Sequence, residues 1–124
     1  MSDVTMIVDT YLAAWNETDA KARGRLIEKA WAPDGRYVDP LLAADGHAAI
    51  SEMTAAVHSK FPGHRFRRTS GVDAHNGHVR FGWELAAPDG AITVAGVDIG
   101  EIGADGRLAR ITGFFGPLPE KAAA

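Results

Sequence analysis

The sequence contains no cysteine, which excludes a disulfide framework and a thiolate zinc site. No apolar stretch approaches the ~20 residues that span a bilayer, and the start lacks the basic and long apolar regions of a secretory signal. A cytoplasmic chain with no membrane association is therefore expected. A surplus of basic charge is also missing. Thirteen Lys and Arg stand against 16 Asp and Glu, a net charge of -3, and the nearest approach to a basic run is Arg65, Arg67 and Arg68, so nucleic acid is not an expected partner. There is no glycine-rich phosphate loop, no Ser-His-Asp order and no nucleophile elbow, and no cofactor is expected. His75 and His78 flank a turn without a third ligand at a recognisable spacing, so no metal is expected either.

What is present fits one domain over residues 1–124, large enough to enclose a small pocket. Val4, Ile7, Val8, Tyr11, Leu12 and Trp15 recur on one helical face, with Ser2 or Asp3 available to cap the first helix. A second helix is predicted after Thr18 or Asp19, burying Leu26, Ile27, Ala30 and Trp31 and stopping near Ala32 because Pro33 disfavours helical geometry before it. A third runs from about His47 to Lys60 with Ile50, Met53 and Val57 inward, ended by Pro62-Gly63. Beyond it, Asn76-Gly77, Asp89-Gly90 and Asp105-Gly106 are hairpin dipeptides that tolerate positive φ. They divide the chain into four antiparallel strands near 64–75, 78–87, 91–102 and 107–115. Helices first and a meander afterwards predict an α+β architecture, and the tail from Pro117 to Ala124 reads as a frayed end.

Asp98 lies in the third of these strands, in a run apolar on both faces. Strand alternation puts it on one face with Val94, Gly96, Gly100 and Ile102. Its nearest same-face neighbours are both glycine, and the expectation is open space on either side of one carboxyl group, where a ligand fits. Burial disfavours the charged carboxylate and raises its pKa. The bland alternative is a buried ion pair with Arg80 or Arg110. Asp39, before Pro40, also suits a plain turn, and Tyr11 suits ordinary helix packing.

Tyr-Leu-Ala-Ala-Trp-Asn at 11–16, Val-Asp-Pro at 38–40, Gly-Val-Asp-Ile at 96–99 and Gly-Phe-Phe-Gly at 113–116 resemble ketosteroid isomerase and its relatives. These belong to the nuclear transport factor 2-like superfamily, which includes the SnoaL-like polyketide cyclases. The resemblance implies a cone-shaped curled antiparallel sheet with three helices covering its concave side and a pocket between them. It also implies a cofactor-independent acid-base enzyme, an isomerase or a cyclase, acting on a hydrophobic carbonyl compound through an enolate. Asp39 would be the base, with Tyr11 and a protonated Asp98 donating to the enolate oxygen, the division of labour of ketosteroid isomerase.

Trp31, Phe66, Trp83, Phe114 and Phe115 are candidates to line a cavity for a flat or polycyclic molecule, with Trp83 and Phe115 the best placed. His47 and His64 stand near the expected rim, where a histidine can assist proton transfer. The stretch from Asn16 to Asp39 looks longer than in ketosteroid isomerases, which would alter the pocket mouth. Two other readings fit the resemblance. One is a binding or interaction module without chemistry; the other is an epoxide hydrolase, which needs an arginine, Arg80 or Arg110, between two carboxylates. A homodimer through the outer sheet face is also implied.

Overall fold

The apolar stripe of Val8, Tyr11, Leu12 and Trp15 becomes the buried face of helix α1, Asp3–Asn16. The computed structural model describes residues 3–122, and of the two cap candidates Ser2 lies outside them. Helix α2, Ala20–Ala30, begins at Asp19, whose carboxylate accepts the Ala22 N–H at 2.9 Å and so satisfies a backbone donor that the first turn leaves open. Arg23 is buried on this helix. Its guanidinium donates to Ser51 Oγ at 2.9 Å and to the Glu17 carbonyl at 3.0 Å, tying the end of α1 to α2 and to the third helix. The sequence pattern predicts Trp31 in the last helical turn. It is instead extended (φ -111°, ψ 138°) and opens a strand, because the chain must already be extended at Ala32 to enter Pro33.

That strand, β1 at Trp31–Val38, pairs with the short β2, Ala43–Asp45, which leads into helix α3, Gly46–Lys60. The predicted first strand of the meander divides into β3, Arg65–Arg68, and β4, Asp73–His75. Both pair with β5, His78–Ala86. Between them the Ser70 hydroxyl takes the place of a backbone carbonyl and accepts the Gly82 N–H at 2.8 Å. β6, Ile92–Ile102, and β7, Leu108–Phe115, complete the sheet. Asn76 and Gly77 both take positive φ (50° and 78°) at the β4–β5 turn, as a tight hairpin requires.

The strands form one seven-stranded curled sheet that does not close, in the order β2-β1-β7-β6-β5-β3, with β4 beside β5. Its meander is antiparallel, but the sheet is mixed and not antiparallel throughout: β1 runs parallel to β7, with an irregularity between Trp31 and Arg36. That irregularity holds Pro33, which has no ladder donor, and Gly35, where the Trp31 ring lies so close that a side chain would collide. The three helices and the inner sheet face share one core, with Ile27, Trp31, Leu108 and Ile111 fully buried. On the outer face Val97, Ile99 and Phe114 are exposed. No helix is long and apolar enough to cross a membrane.

Candidate functional site

The β6–β7 hairpin, folded at Asp105-Gly106, sets Asp98 opposite Gly113, and the β5–β6 hairpin sets it opposite Phe81. Asp98 faces inward and is 3% exposed. Helix α1 brings Tyr11 over it, and the Tyr11 hydroxyl donates to Asp98 Oδ2 at 2.7 Å. Edge-to-face contacts with Trp31 and Phe81, at 5.7 and 6.1 Å between ring centroids, fix the Tyr11 ring. Asp98 Oδ1 has no hydrogen-bond partner. Among the described residues it shares that condition with one other buried side-chain polar atom, the indole nitrogen of Trp83.

Burial pushes the Asp98 carboxyl up from 3.8 to about 7. The Tyr11 hydrogen bond opposes the rise, as does the Trp83 N–H, which lies near the carboxyl group without completing a bond of normal geometry; the charge of Asp39 adds to it. Burial also pushes the hydroxyls of Tyr11 and Tyr37 far up, reinforced for both by the negative charge of Asp98. Both tyrosines therefore remain protonated donors.

Asp39 follows directly on β1. Its Oδ1 accepts the backbone N–H groups of Leu41 and Leu42, each at 2.8 Å, and its Oδ2 accepts the Tyr37 hydroxyl at 2.6 Å. Two aspartates far apart in sequence thus approach each other across a glycine. A side-chain carbon at Gly113 would stand 3.0 Å from Asp98 Oδ1, 3.2 Å from Asp39 Cβ and 3.3 Å from the Tyr37 hydroxyl. Gly113 is therefore the glycine that opens the site. The space predicted beside Asp98 at Gly96 and Gly100 is instead filled, by the Trp83 ring and the Ile111 side chain respectively.

Tyr11, Asp39 and Asp98 all line one cavity of about 90 Å³, together with Tyr37. Its walls are apolar. Leu12 and Trp15 come from α1, Val57 from α3, and Phe66, Trp83 and Phe115 from the sheet. It opens toward Leu41, which is 77% exposed. Such a volume is small beside the ~300–1,000 Å³ of common ligand pockets.

Other expected residues lie elsewhere. Trp31 is a core residue under Tyr11 and over Gly35, not a cavity wall, and Phe114 turns outward. His47 Nε2 is within 2.9 Å of the Trp31 carbonyl oxygen, and His64 meets Thr93 Oγ at 3.0 Å; neither lines the cavity. Arg80 pairs with Asp73 at 2.8 Å and Arg110 faces Glu101 at 3.8 Å, both on the exposed face. Among the described residues Asp98 therefore has no guanidinium partner, and no arginine lines the cavity, as epoxide hydrolysis would need. Among the described residues no group of three His, Asp or Glu could hold a metal. Tyr37 escaped the sequence reading. Its i, i+2 spacing to Asp39 in an extended run was the available signal, since such residues share a strand face.

The chain belongs to the SnoaL-like domain family, whose model matches residues 8–111. A provisionally named isomerase of the SnoaL-like family from Agrobacterium tumefaciens is 40% identical, with a TM-score of 0.88 over 94% of this chain and 100% of that one. Two more distant structures share the fold. One is a provisionally named SnoaL-like polyketide cyclase from Jannaschia, 18% identical with a TM-score of 0.65 over 90% of this chain and 85% of that one. The other is a protein with a ketosteroid isomerase-like fold from Catenulispora acidiphila, solved in complex with trimethylamine, at 21% identity and a TM-score of 0.69 over 86% of this chain and 82% of that one. No curated protein matches the chain.

Proposed function

We propose that the protein is a cofactor-independent acid-base enzyme that moves a proton on a small, apolar carbonyl compound by way of its enolate. The observation that carries this reading is a buried carboxyl group with one oxygen held by Tyr11, the other unpartnered, and a pKa of about 7, in a cavity with apolar walls. A base works best when its pKa lies near the operating pH. The 40% identical neighbour is itself provisionally named an isomerase.

In this reading Asp98 Oδ1 takes the proton from the carbon beside the carbonyl. The C–H electron pair becomes the enolate π bond, and the carbonyl π pair moves onto oxygen. Asp98 then returns the proton to the γ-carbon as the carbonyl re-forms, so the net reaction is isomerisation; attack of the same enolate on a second carbonyl would give cyclisation. Tyr11 is a positioning residue that aims the free oxygen. Asp39, assigned the base by resemblance, has three donors on its two oxygens. With both oxygens already accepting hydrogen bonds, Asp39 is assigned the orientation of Tyr37 and of the turn at the cavity mouth.

The test supplies cyclohex-3-enone, a small β,γ-unsaturated ketone, and follows the conjugated enone by ultraviolet absorption. Wild type should convert it, and Asp98→Asn should lose on the order of 10²- to 10⁴-fold in turnover, the usual share of a general base. Asp39→Asn should lose much less. Equal rates for wild type and Asp98→Asn overturn the assignment. Saturable binding of the ketone without conversion favours the binding-module reading.

A further inference from the structure

We propose that the indole N–H of Trp83 is the hydrogen-bond donor that receives the ligand's oxygen, a catalytic role that rests on the enolate reading above. The two buried polar side-chain atoms without partners among the described residues are one donor, Trp83 Nε1, and one acceptor, Asp98 Oδ1. They are the two halves that enolate chemistry needs: a base for the carbon-bound proton and a donor where negative charge develops. The tyrosine hydroxyls in the cavity are already committed, Tyr11 to Asp98 and Tyr37 to Asp39.

The backbone brings the two free atoms to one spot. Trp83 stands opposite Gly96 on the neighbouring strand, while Asp98 stands opposite Phe81. Trp83 and Asp98 are therefore diagonal neighbours on the inner sheet face, a separation that an aromatic side chain spans. Gly96 makes the ring position possible, since a side-chain carbon there would lie 2.8 Å from Trp83 Cζ2. Phe66 and Phe115 hold the ring edge-to-face, each at 5.8 Å between centroids. Trp83 is 5% exposed, and both it and Asp98 line the cavity. The Trp83 N–H lies near the Asp98 carboxyl without completing a bond of normal geometry; a buried donor left so is costly, and a ligand oxygen would give it a full acceptor. A clamped donor of this kind also needs no reorganisation as charge develops on the oxygen. The site therefore selects molecules with an oxygen acceptor over apolar molecules of the same shape.

The experiment uses phenol as an oxygen-bearing enolate mimic and toluene as its apolar match. Binding is followed in the ¹⁵N-labelled full chain through the indole N–H resonances, with Trp83 assigned by its loss in Trp83→Phe. Phenol should move the Trp83 resonance downfield and toluene should not. Trp83→Phe should weaken phenol about 2- to 10-fold, the worth of a hydrogen bond to a neutral acceptor, while changing toluene affinity little. An unmoved Trp83 resonance with phenol bound, equal shifts with both probes, or no saturable phenol binding overturns the proposal; the resonance test needs only the wild-type fold. If the phenol shift appears but cyclohex-3-enone is not converted, the catalytic reading fails while the donor stands. If the enone forms but phenol leaves Trp83 unmoved, the donor alone fails.

Discussion

Tyr11 and Asp98, 87 residues apart, meet in a buried 2.7 Å hydrogen bond that uses one carboxyl oxygen and leaves the other without a partner. Removing the hydroxyl should raise the Asp98 pKa further, since that bond opposes the effect of burial. In Tyr11→Phe we expect the midpoint of the Asp98 titration to move up from about 7. The activity at pH 7 should fall accordingly. A ¹³C carboxyl titration of the variant checks this, and a midpoint that moves down contradicts it.

Stability should respond to pH through the same carboxyl group. Between 3.8 and about 7 the folded chain keeps a proton on Asp98 that the unfolded chain has released. The folded state binds more protons, so its stability falls as pH rises across that window and levels off above it. The loss is on the order of a few kcal/mol, at about 1.4 kcal/mol for each pH unit the window spans. Asp98→Asn removes this contribution. Urea unfolding at several values between pH 4.5 and 8 should show the variant with a flatter profile than wild type and the higher stability of the two at pH 8.

The glycines should separate site from fold. Gly113→Ala adds a carbon 3.0 Å from Asp98 Oδ1 and 3.3 Å from the Tyr37 hydroxyl. Asp39 Cβ, 3.2 Å away, is next to its own backbone and cannot swing aside, so ligand affinity should drop and the melting temperature should fall too, by less than in Gly96→Ala. Gly96→Ala meets the backbone carbonyl oxygen of Phe114 as well as the Trp83 ring. Overpacking of this kind typically costs about 1–3 kcal/mol and occasionally more, and thermal unfolding should register it.

A homodimer, as the superfamily resemblance implies, would cover Val97, Ile99 and Phe114 on the outer sheet face. Sedimentation at several concentrations should give twice the chain mass, and Val97→Lys with Phe114→Lys should return the monomer. A wild-type monomer at every concentration removes the expectation.

The helices and turns were legible because their signals are local. The stripe on α1 and the three dipeptides Asn76-Gly77, Asp89-Gly90 and Asp105-Gly106 each depend only on near neighbours. The inward face of β6 was legible too, since alternation fixed it around Asp98. β1 was not, because Pro33 to Gly35 break its alternation and its parallel partner β7 lies over 70 residues away in the chain. The role of Gly113 depends on hairpin register. A hairpin folded at Asp105-Gly106 puts it opposite Asp98, a step that inspection of the single strand around Asp98 does not reach. Tyr11, Asp39 and Asp98 stood out by residue type, and the fold brings all three to one cavity. Which oxygen of each aspartate is occupied depends on tertiary contacts that the sequence does not display.

The most direct measurement is the pH dependence of kcat/KM for cyclohex-3-enone isomerisation by wild type, Asp98→Asn and Asp39→Asn. With Asp98 as the base, activity rises with pH through about 7 to a plateau, Asp39→Asn keeps that profile, and Asp98→Asn is flat and slow. A rate that falls as pH rises through 7, with Asp39→Asn the inactive variant, contradicts it and returns the proton transfer to Asp39.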